Sequence, residues 1–418
     1  MPNPTLVIAV ISFAIWLYLF LAQGNFWNLL PFDDDETTHP APPTWPTVTA
    51  IIPARNEAET IAQTITSLAQ QNYSGKFSIM VVDDHSEDNT VKLAQQAVQK
   101  NRTNPNTLID VTILTAPPLH SGWTGKLSAL NAGVLHAAPQ PNATREGGAS
   151  AVPQSAASNG ALAPAASAPT YLWFTDADII HAPDTLTRLV SRAEQNKLDL
   201  TSLMVLLRAQ TIPERLLIPP FLFFFLMLYP AKKIANPKSK TAGAAGGCIL
   251  LRRTALDRIG SLAAIRSEII DDCALARAVK RSSSGVKIWM GLTRKSRSLR
   301  AYSTFAEIRD MIARTAFTQL RYSSFLLLGT LFGLAITYLA PIALLFAHDT
   351  PTRLIALATW LIMSLLFLPT IRFYRISTHW AAALPLAATF YAAATFLSAT
   401  RYWTNRGAQW KGRSQAPK

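Results

Sequence analysis

Three acidic pairs and one lysine carry the residue types from which chemistry can be built: Asp83-Asp84, Asp176-Ala177-Asp178, Asp271-Asp272 and Lys126. An Asp-x-Asp offers two hard oxygen ligands, which suit Mg²⁺ or Mn²⁺, and such cations commonly bridge diphosphate oxygens as well. Carboxylates crowded together repel, and a bound divalent cation relieves that. Lys126 closes Gly122-Trp123-Thr124-Gly125-Lys126. The glycines allow close backbone approach, and a lysine near a helix N-terminus can meet a phosphate. The stretch lacks the four-residue spacer between glycines that a P-loop requires. Asp271 and Asp272 head an apolar helical pattern, where the helix dipole stabilises carboxylates. They serve there either as caps or as a catalytic base, and either residue fits the latter role. Capping is also open to Asp83-Asp84, ahead of a helix near Asn89, and to Asp178, ahead of one near Pro183. The arginines of Arg314–Tyr322 read as snorkelling anchors or as ligands for a leaving diphosphate.

The elements that must hold these residues alternate. Val48–Ile52, Phe77–Val82, Val111–Leu114 and Tyr171–Phe174 are short apolar strands. Helical spacing falls between them at Glu57–Gln70, Thr90–Val98 and Lys126–His136. Continuously apolar strands alternating with helices predict an α/β fold with a mostly parallel sheet covered on both faces. Ligands of such sheets bind at the carboxyl ends of the strands. The first strand ends in Pro53-Ala54-Arg55-Asn56-Glu57, the second in Asp83-Asp84-His85-Ser86, and the fourth in Thr175-Asp176-Ala177-Asp178. Acids from three strand ends are therefore expected on one rim. Residues 139–169, rich in Ala, Pro, Ser and Gly, read as a disordered surface insertion, and residues 25–46 as an acidic, Pro-rich linker.

Composition places this domain at a membrane. Of 418 residues 15% are charged and 49% hydrophobic, yet the net charge is +14; soluble domains carry about 25% charged residues. Length excludes a single small domain, and the apolar content excludes a disordered chain. Cys248 and Cys273 alone cannot make a disulfide scaffold. Thr5–Ala22 holds no charge and is long enough to span; without a basic n-region it reads as an uncleaved anchor within residues 1–24. Phe325–Ala347, Leu354–Pro369 and Trp380–Ala399 read as three further spans, within residues 324–400. Leu216–Pro230 is short and carries three prolines, so it reads as interfacial or re-entrant. Lys280–Arg300 holds seven basic residues and no acid, which puts the central region in the cytoplasm and the N-terminus outside. Three spans then place the tail (401–418) outside as well, against its five basic residues. The basic run and tail are expected to meet lipid headgroups; no basic–aromatic groove suggests nucleic acid.

Taken in order, Ile51-Ile52-Pro53-Ala54-Arg55-Asn56-Glu57, Val81-Val82-Asp83-Asp84, Gly125-Lys126 with Ala129-Leu130-Asn131-Ala132-Gly133, Thr175-Asp176-Ala177-Asp178, Gly246-Gly247-Cys248, Ile270-Asp271-Asp272-Cys273 and Gln319-Leu320-Arg321-Tyr322 resemble the family 2 glycosyltransferases over residues 47–323. The likeness is strongest to the membrane-bound branch with the ceramide glucosyltransferases, and stronger still to bacterial hopanoid-biosynthesis enzymes ending in Trp-Lys-Gly-Arg, here Trp410–Arg413. The resemblance implies a nucleotide-sugar-binding domain of the GT-A kind. It implies that Glu57, Asp83 and Asp84 hold the nucleoside, with backbone contacts from Pro53 and Ala54. Lys126 would lie near the sugar diphosphate, Asp176 would face the donor, and Asp178, with Asp176, would bind Mg²⁺ or Mn²⁺. Asp272 matches the family's base. Arg321-Tyr322 matches the end of a Gln-x-x-Arg-Trp motif, but Gln319 stands one residue too close.

These expectations describe an inverting, metal-dependent hexosyltransferase. It moves a sugar from a nucleotide donor, a UDP-sugar, to a lipid hydroxyl at the cytoplasmic face of a bacterial inner membrane. Two rivals remain: a processive polysaccharide synthase, which needs a translocation channel, and a non-catalytic scaffold on the same fold.

Overall fold

The strand β1 (Val48–Ala54) is buried at every position, as a strand covered on both faces must be. In the computed structural model, which describes residues 3–29, 40–102, 109–138, 168–404, 409–410 and 413–414, it lies near the centre of an eight-stranded sheet. Most of the linker acids and nearly all of the 139–169 insertion fall outside the described residues. The other strands are β2 (Phe77–Asp83), β3 (Asp110–Thr115), β4 (Tyr171–Phe174), β5 (Ile179–Ile180), β6 (Leu200–Leu206), β7 (Ile249–Arg252) and β8 (Ile288–Ser298), in the order β3-β2-β1-β4-β7-β6-β8-β5. β1 runs parallel to β2 and β4, β2 to β3, and β6 to β8. β7 runs antiparallel to both its neighbours, and β5 antiparallel to β8, so the sheet is mixed though mostly parallel.

Register decides where the rim falls. Ala54 pairs with Asp83, and Ile51 with Phe174, so the chains leaving β1, β2 and β4 emerge at one edge. Helices α2 (Ile61–Ala69), α3 (Thr90–Arg102), α4 (Gly125–His136) and α5 (Thr185–Asn196) follow the strands. They cover the sheet with apolar faces such as Ile61, Ile65 and Leu68. Buried aliphatic surface of this kind contributes about 25 cal/mol per Å².

The second half builds a wedge. α6 (Ile212–Leu228) starts at a capping box: Thr211 Oγ1 accepts from Glu214 N, while the Glu214 carboxylate accepts from Thr211 N. Pro219 and Pro220 sit inside it and cannot donate to the preceding turn; nearby, the Tyr391 hydroxyl donates to the Leu217 carbonyl at 2.9 Å. The run expected at the interface is thus a 17-residue helix. α7 (Ala231–Ala235), α8 (Arg253–Arg258), α9 (Asp271–Arg281), α10 (Phe305–Ala313) and α11 (Ala316–Gln319) complete the α/β domain.

The basic run 280–300 is placed differently from its expected role at lipid headgroups. Most of it is β8, inside the sheet. Lys280 Nζ is spent on the carbonyls of Lys233, Ile234 and Thr241 at 3.2, 2.7 and 2.6 Å, and Lys295 pairs with Asp184 at 3.1 Å. Net charge alone could not distinguish strand residues from a lipid-facing patch.

Among the described residues four stretches are long and apolar enough to cross a membrane: Pro4–Leu21, Ser324–Leu344, Thr350–Phe373 and Thr378–Trp403. The first is α1 (Pro4–Leu21). The second comprises α12 (Ser324–Leu334), a π-turn over Ala335–Leu339 and α13 (Ala340–Leu344). Pro341 removes the N–H that would reach back to Thr337, and the Trp16 indole of α1 donates to that carbonyl at 2.8 Å. The third, α14 (Thr350–Phe373), is about 36 Å long at 1.5 Å per residue. At its start Asn3 bonds Asp349 at 3.0 Å, so the beginnings of α1 and α14 lie together.

At the other end of α14 the Arg294 guanidinium lies 5.8 Å from the Phe373 ring. A 3₁₀ turn (Thr378–Ala383) then leads into α15 (Leu384–Trp403). Near the end of α15, Ser398 Oγ donates to Ala313 O at 2.5 Å and Arg401 pairs with Asp310 at 2.7 Å. The stretch from Phe373 to Arg401 therefore begins and ends against the α/β domain. β9 (Gln409–Trp410) and β10 (Arg413–Ser414) form a short hairpin in the tail.

Candidate active site

An open cleft of about 840 Å³ lies at the rim, and Lys126 is the hub of its deep end. Gly122, at φ +79°, turns the chain so that Thr124 can cap α4, its Oγ1 accepting from Leu127 N at 3.4 Å. This puts Lys126 in the first turn of α4. Its Nζ lies 2.9 Å from Asp176 Oδ1 and 3.3 Å from Asp271 Oδ2. Burial works against its charge, but the Asp176 and Asp271 carboxylates overcome that and hold the proton far above the usual lysine range.

Asp272, next in the chain, accepts from Cys273 N at 2.7 Å and Gly246 N at 2.9 Å. Gly246 lets the backbone pass close by: a Cβ would lie 3.2 Å from Lys126 Nζ and 3.4 Å from Asp272 Oδ2, so these neighbours would have to give by a few tenths of an ångström. Burial first, then the neighbouring Asp271 charge, push the Asp272 carboxyl up to about 6, against the pull of Lys126 and the two N–H groups. A carboxylate poised near neutral pH in a cleft is suited to taking a proton from a hydroxyl.

A second cluster centres on Arg300, just past β8. Its Nη2 lies 2.6 Å from Glu57 Oε1 and its Nε 3.2 Å from Asp178 Oδ2. Asp178 Oδ2 also accepts from Ser298 Oγ at 2.8 Å. The pairing of β5 with β8, and Leu299 N bonding Asp178 O at 2.8 Å, fix the two chains against each other. Just before the Asp-x-Asp, Thr175 is held by buried His181, which also bonds Ser296; burial drives the His181 imidazole down to about 3, keeping it neutral.

Asp176 and Asp178 both line the cleft and supply hard oxygens. Among the described residues no cluster of three His, Cys, Asp or Glu side chains stands ready to hold a metal. Two carboxylates completed by ligand phosphates and water are the usual Mg²⁺ arrangement, so the donor set fits Mg²⁺ or Mn²⁺ arriving with a diphosphate. The charge balance agrees: eight Asp and Glu residues line the cleft against four Lys and Arg.

The remaining expected residues divide. Pro53, Glu57 and Tyr322 line the cleft; Ala54, Asp83, Asp84 and Arg321 do not. The Asp83 carboxylate accepts from Ser86 N at 3.3 Å, and Asp84 is buried, so the second strand end serves its own turn. Two of the three acidic strand ends converge on the cleft. Arg321 is exposed, while Arg314 lines the wall. Arg321 and Tyr322 both sit in the left-handed region, at φ 53° and 56°, a strained turn for two non-glycine residues. Gln319, out of step with the motif, bonds the Tyr229 hydroxyl at 2.7 Å. Sequence reasoning missed Arg300, Gly246 and Arg401 as site residues. The apolar run Ile288–Leu292 was the available signal for a strand delivering Arg300 to the rim.

At its outer end the cleft changes character. Phe221 and Phe225 of α6, Met311 of α10, and Ser398, Arg401 and Tyr402 of α15 line it. The Tyr322 ring stacks on Tyr402 at 4.4 Å and 23°.

Superposition on solved structures turns this geometry into a class. The chain matches the mannosyltransferase PcManGT from Pyrobaculum calidifontis, solved in complex with GDP-Man and Mn²⁺, over 92% of its own length and 99% of that chain, with a TM-score of 0.52 at 18% identity. Its fold is that of the GT-A glycosyltransferases. Glucosyl-3-phosphoglycerate synthase from Mycobacterium tuberculosis superimposes more loosely, with a TM-score of 0.35 at 17% identity over 66% of this chain and 80% of that one. In sequence, a "Probable glycosyltransferase YdaM" of Bacillus subtilis (strain 168) is 30% identical over 131 residues, a match spanning 28% of either chain. The profile of glycosyl transferase family 2 matches residues 49–140, and that of glycosyl transferase family 21 matches residues 159–416. The chain belongs to glycosyl transferase family 21 and is a glycosyltransferase. Asp176, Asp178, Asp271 and Asp272 all fall within the family 21 match, which refines the family 2 likeness first read over residues 47–323.

Proposed function

We propose that this enzyme is an inverting, metal-dependent glycosyltransferase. It moves a sugar from a nucleoside-diphosphate donor, a UDP-sugar, to the hydroxyl of a membrane lipid, with a hopanoid as the acceptor class, at the cytoplasmic face of a bacterial inner membrane. One observation carries the reading. A single cleft is lined at one end by Lys126, Asp176, Asp178 and Asp272, and at the other by Phe221, Phe225 and residues of the last apolar helix. A lipid hydroxyl arriving along α6 and α15 would meet the base where the donor sugar is held.

In this reaction Asp272 accepts the hydroxyl proton as the acceptor oxygen bonds the anomeric carbon. The bond from that carbon to the diphosphate oxygen breaks on the opposite face, and the diphosphate leaves with the electron pair. Lys126 holds Asp176 and Asp271 in place and offsets charge near the leaving group. A divalent cation held by Asp176 and Asp178 would supply further neutralisation of the diphosphate. The GDP-Man and Mn²⁺ bound by PcManGT support a nucleotide-sugar donor with a cation.

Sidedness follows from charge. Arg401, at the base of the tail with its five basic residues, pairs with Asp310 of the catalytic domain. If the last apolar stretch dips into the bilayer and returns, the tail shares the catalytic side. The count of crossings then agrees with the basic residues, which favour the cytoplasm.

The test is lipid profiling of a strain lacking the enzyme, complemented with the parent or with Asp272→Asn. A single glycolipid, carrying one sugar per acceptor, is expected to vanish and to return only with the parent. Restoration by Asp272→Asn would remove the proposed base, and a product with repeated sugars would favour the processive synthase.

A further inference from the structure

Arg300 holds together two carboxylates that would meet different partners. The family resemblance gives Glu57 to the nucleoside and the proposed reaction gives Asp178 to the cation, yet one guanidinium bonds both, at 2.6 and 3.2 Å. We infer that Arg300 is a resident counter-ion which the divalent cation must displace from Asp178, and that its release is the step coupling cation binding to donor binding. The inference rests on the reading of Asp178 as a cation ligand.

Several features support the exchange. Asp178 Oδ2 already accepts from Ser298 Oγ and Arg300 Nε, and the Asp178 backbone is tied to β8 through Leu299. The carboxylate is thus held in place whether or not Arg300 stays. Arg300 is the movable member: its side chain is 31% exposed, against 11% for Asp178 and 12% for Glu57. Its guanidinium stem can swing into the cleft without leaving the wall. Once released, the guanidinium faces the space a diphosphate would occupy, and a planar fork of donors recognises phosphate oxygens well.

Every charge keeps a partner through the exchange. The cation replaces the guanidinium on Asp178, Glu57 is freed for the nucleoside, and the displaced positive charge meets the donor's negative one. Either ligand arriving first breaks the same two bonds, so the second binds a site already opened. Linkage makes that effect reciprocal.

The experiment is Mn²⁺ binding to the purified full chain in detergent, followed by electron paramagnetic resonance, with and without UDP. Arg300→Met should bind Mn²⁺ about tenfold more tightly than the parent without nucleotide. That corresponds to about 1.4 kcal/mol, near the low end for a hydrogen bond to a charged group. The tightening by UDP seen in the parent should shrink in the variant. Arg300→Lys, which keeps the charge but cannot bridge both acids, should fall between them and guards against misfolding of the methionine variant. Mn²⁺ affinity unchanged or weaker in both variants would overturn the exchange. Asp178→Asn separates the two readings. If it abolishes Mn²⁺ binding while the Arg300 variants behave as the parent, only the exchange fails. If it binds Mn²⁺ as the parent does, the cation reading of Asp178 fails with it.

Discussion

The Lys126 and Arg300 clusters sit in one cleft and are built from the same ingredients, yet they do different work. Around Lys126 stand Asp176 and Asp271, with Asp272 close behind, so acids outnumber the cation by two. Among the described residues the acids paired with Arg300 are Glu57 and Asp178. The Lys126 side chain is 19% exposed and Arg300 31%. In the deep cluster burial first, then the neighbouring Asp271 charge, raises the Asp272 carboxyl. The outer cluster is closer to balance and its cation is the more exposed, which suits Arg300 to exchange partners. An ammonium serves the first as a compact point charge, and a guanidinium fork serves the second by spanning two acids.

The largest effect should come from the proposed base. Asp272→Asn keeps the shape but removes the proton acceptor and one of the two N–H contacts, because an amide nitrogen cannot accept from Gly246 N or Cys273 N. Turnover should fall about 10³-fold while UDP binding persists, measured by transfer assay and calorimetry. Equal loss of both would mean that Asp272 organises the site and takes no proton.

Next in size is stability. Lys126→Met leaves buried carboxylates without their cation, and denaturant melts should show a loss of up to about 3 kcal/mol, with solvent at Asp176 screening the rest. Arg300→Met, which removes a cation that is itself 31% exposed and leaves Asp178 its bond from Ser298, should lose no more than about 1 kcal/mol. The reverse ranking would break the comparison.

Gly246→Ala pushes a methyl toward both Lys126 Nζ and Asp272, at 3.2 and 3.4 Å. A few tenths of an ångström of displacement at the base should lower turnover about tenfold and leave the Mn²⁺ affinity of the Arg300 cluster unchanged.

The smallest effect concerns pH. With Asp272 at about 6, activity should fall as pH drops below 6 and the carboxylate takes up a proton. Asp271→Asn removes a neighbouring negative charge, so the Asp272 carboxyl should drop and the acid limb of the kcat/KM profile should move to lower pH. An unmoved limb would assign the titration elsewhere.

Local patterns made much of this readable in advance. The alternation from Val48 to Phe174 predicted β1 to β4 to within two residues at each end and their helices to within four, because buried parallel strands leave unbroken apolar runs. Asp-x-Asp at a strand end and Asp271-Asp272 at a helix head were legible because both are short and contiguous. What escaped depends on distant chain. Asp83 and Asp84 occupy a strand end as predicted, but the Ser86 turn claims Asp83, and sequence does not say which way a strand-end side chain points. Arg300 looked like one of seven interchangeable cations until β8 placed it 243 positions from Glu57 in sequence and in contact with it in space. The direction of β7 was equally invisible, since a four-residue apolar run reads the same both ways.

The hydrogen bond from Trp16 to Thr337 carries a consequence for how the enzyme is made. Its partners are 321 residues apart. At about 5–20 residues per second, α1 waits roughly 16–64 s after its synthesis before its partner leaves the ribosome. During that wait the indole N–H has no carbonyl from the second apolar segment, while the whole catalytic domain is being translated. Assembly therefore has an order: first apolar helix, then the catalytic domain, and the locking of that helix to the later apolar segments last. A chain stalled before Pro341 would carry an apolar first helix not yet committed to its neighbours, open to capture by quality control.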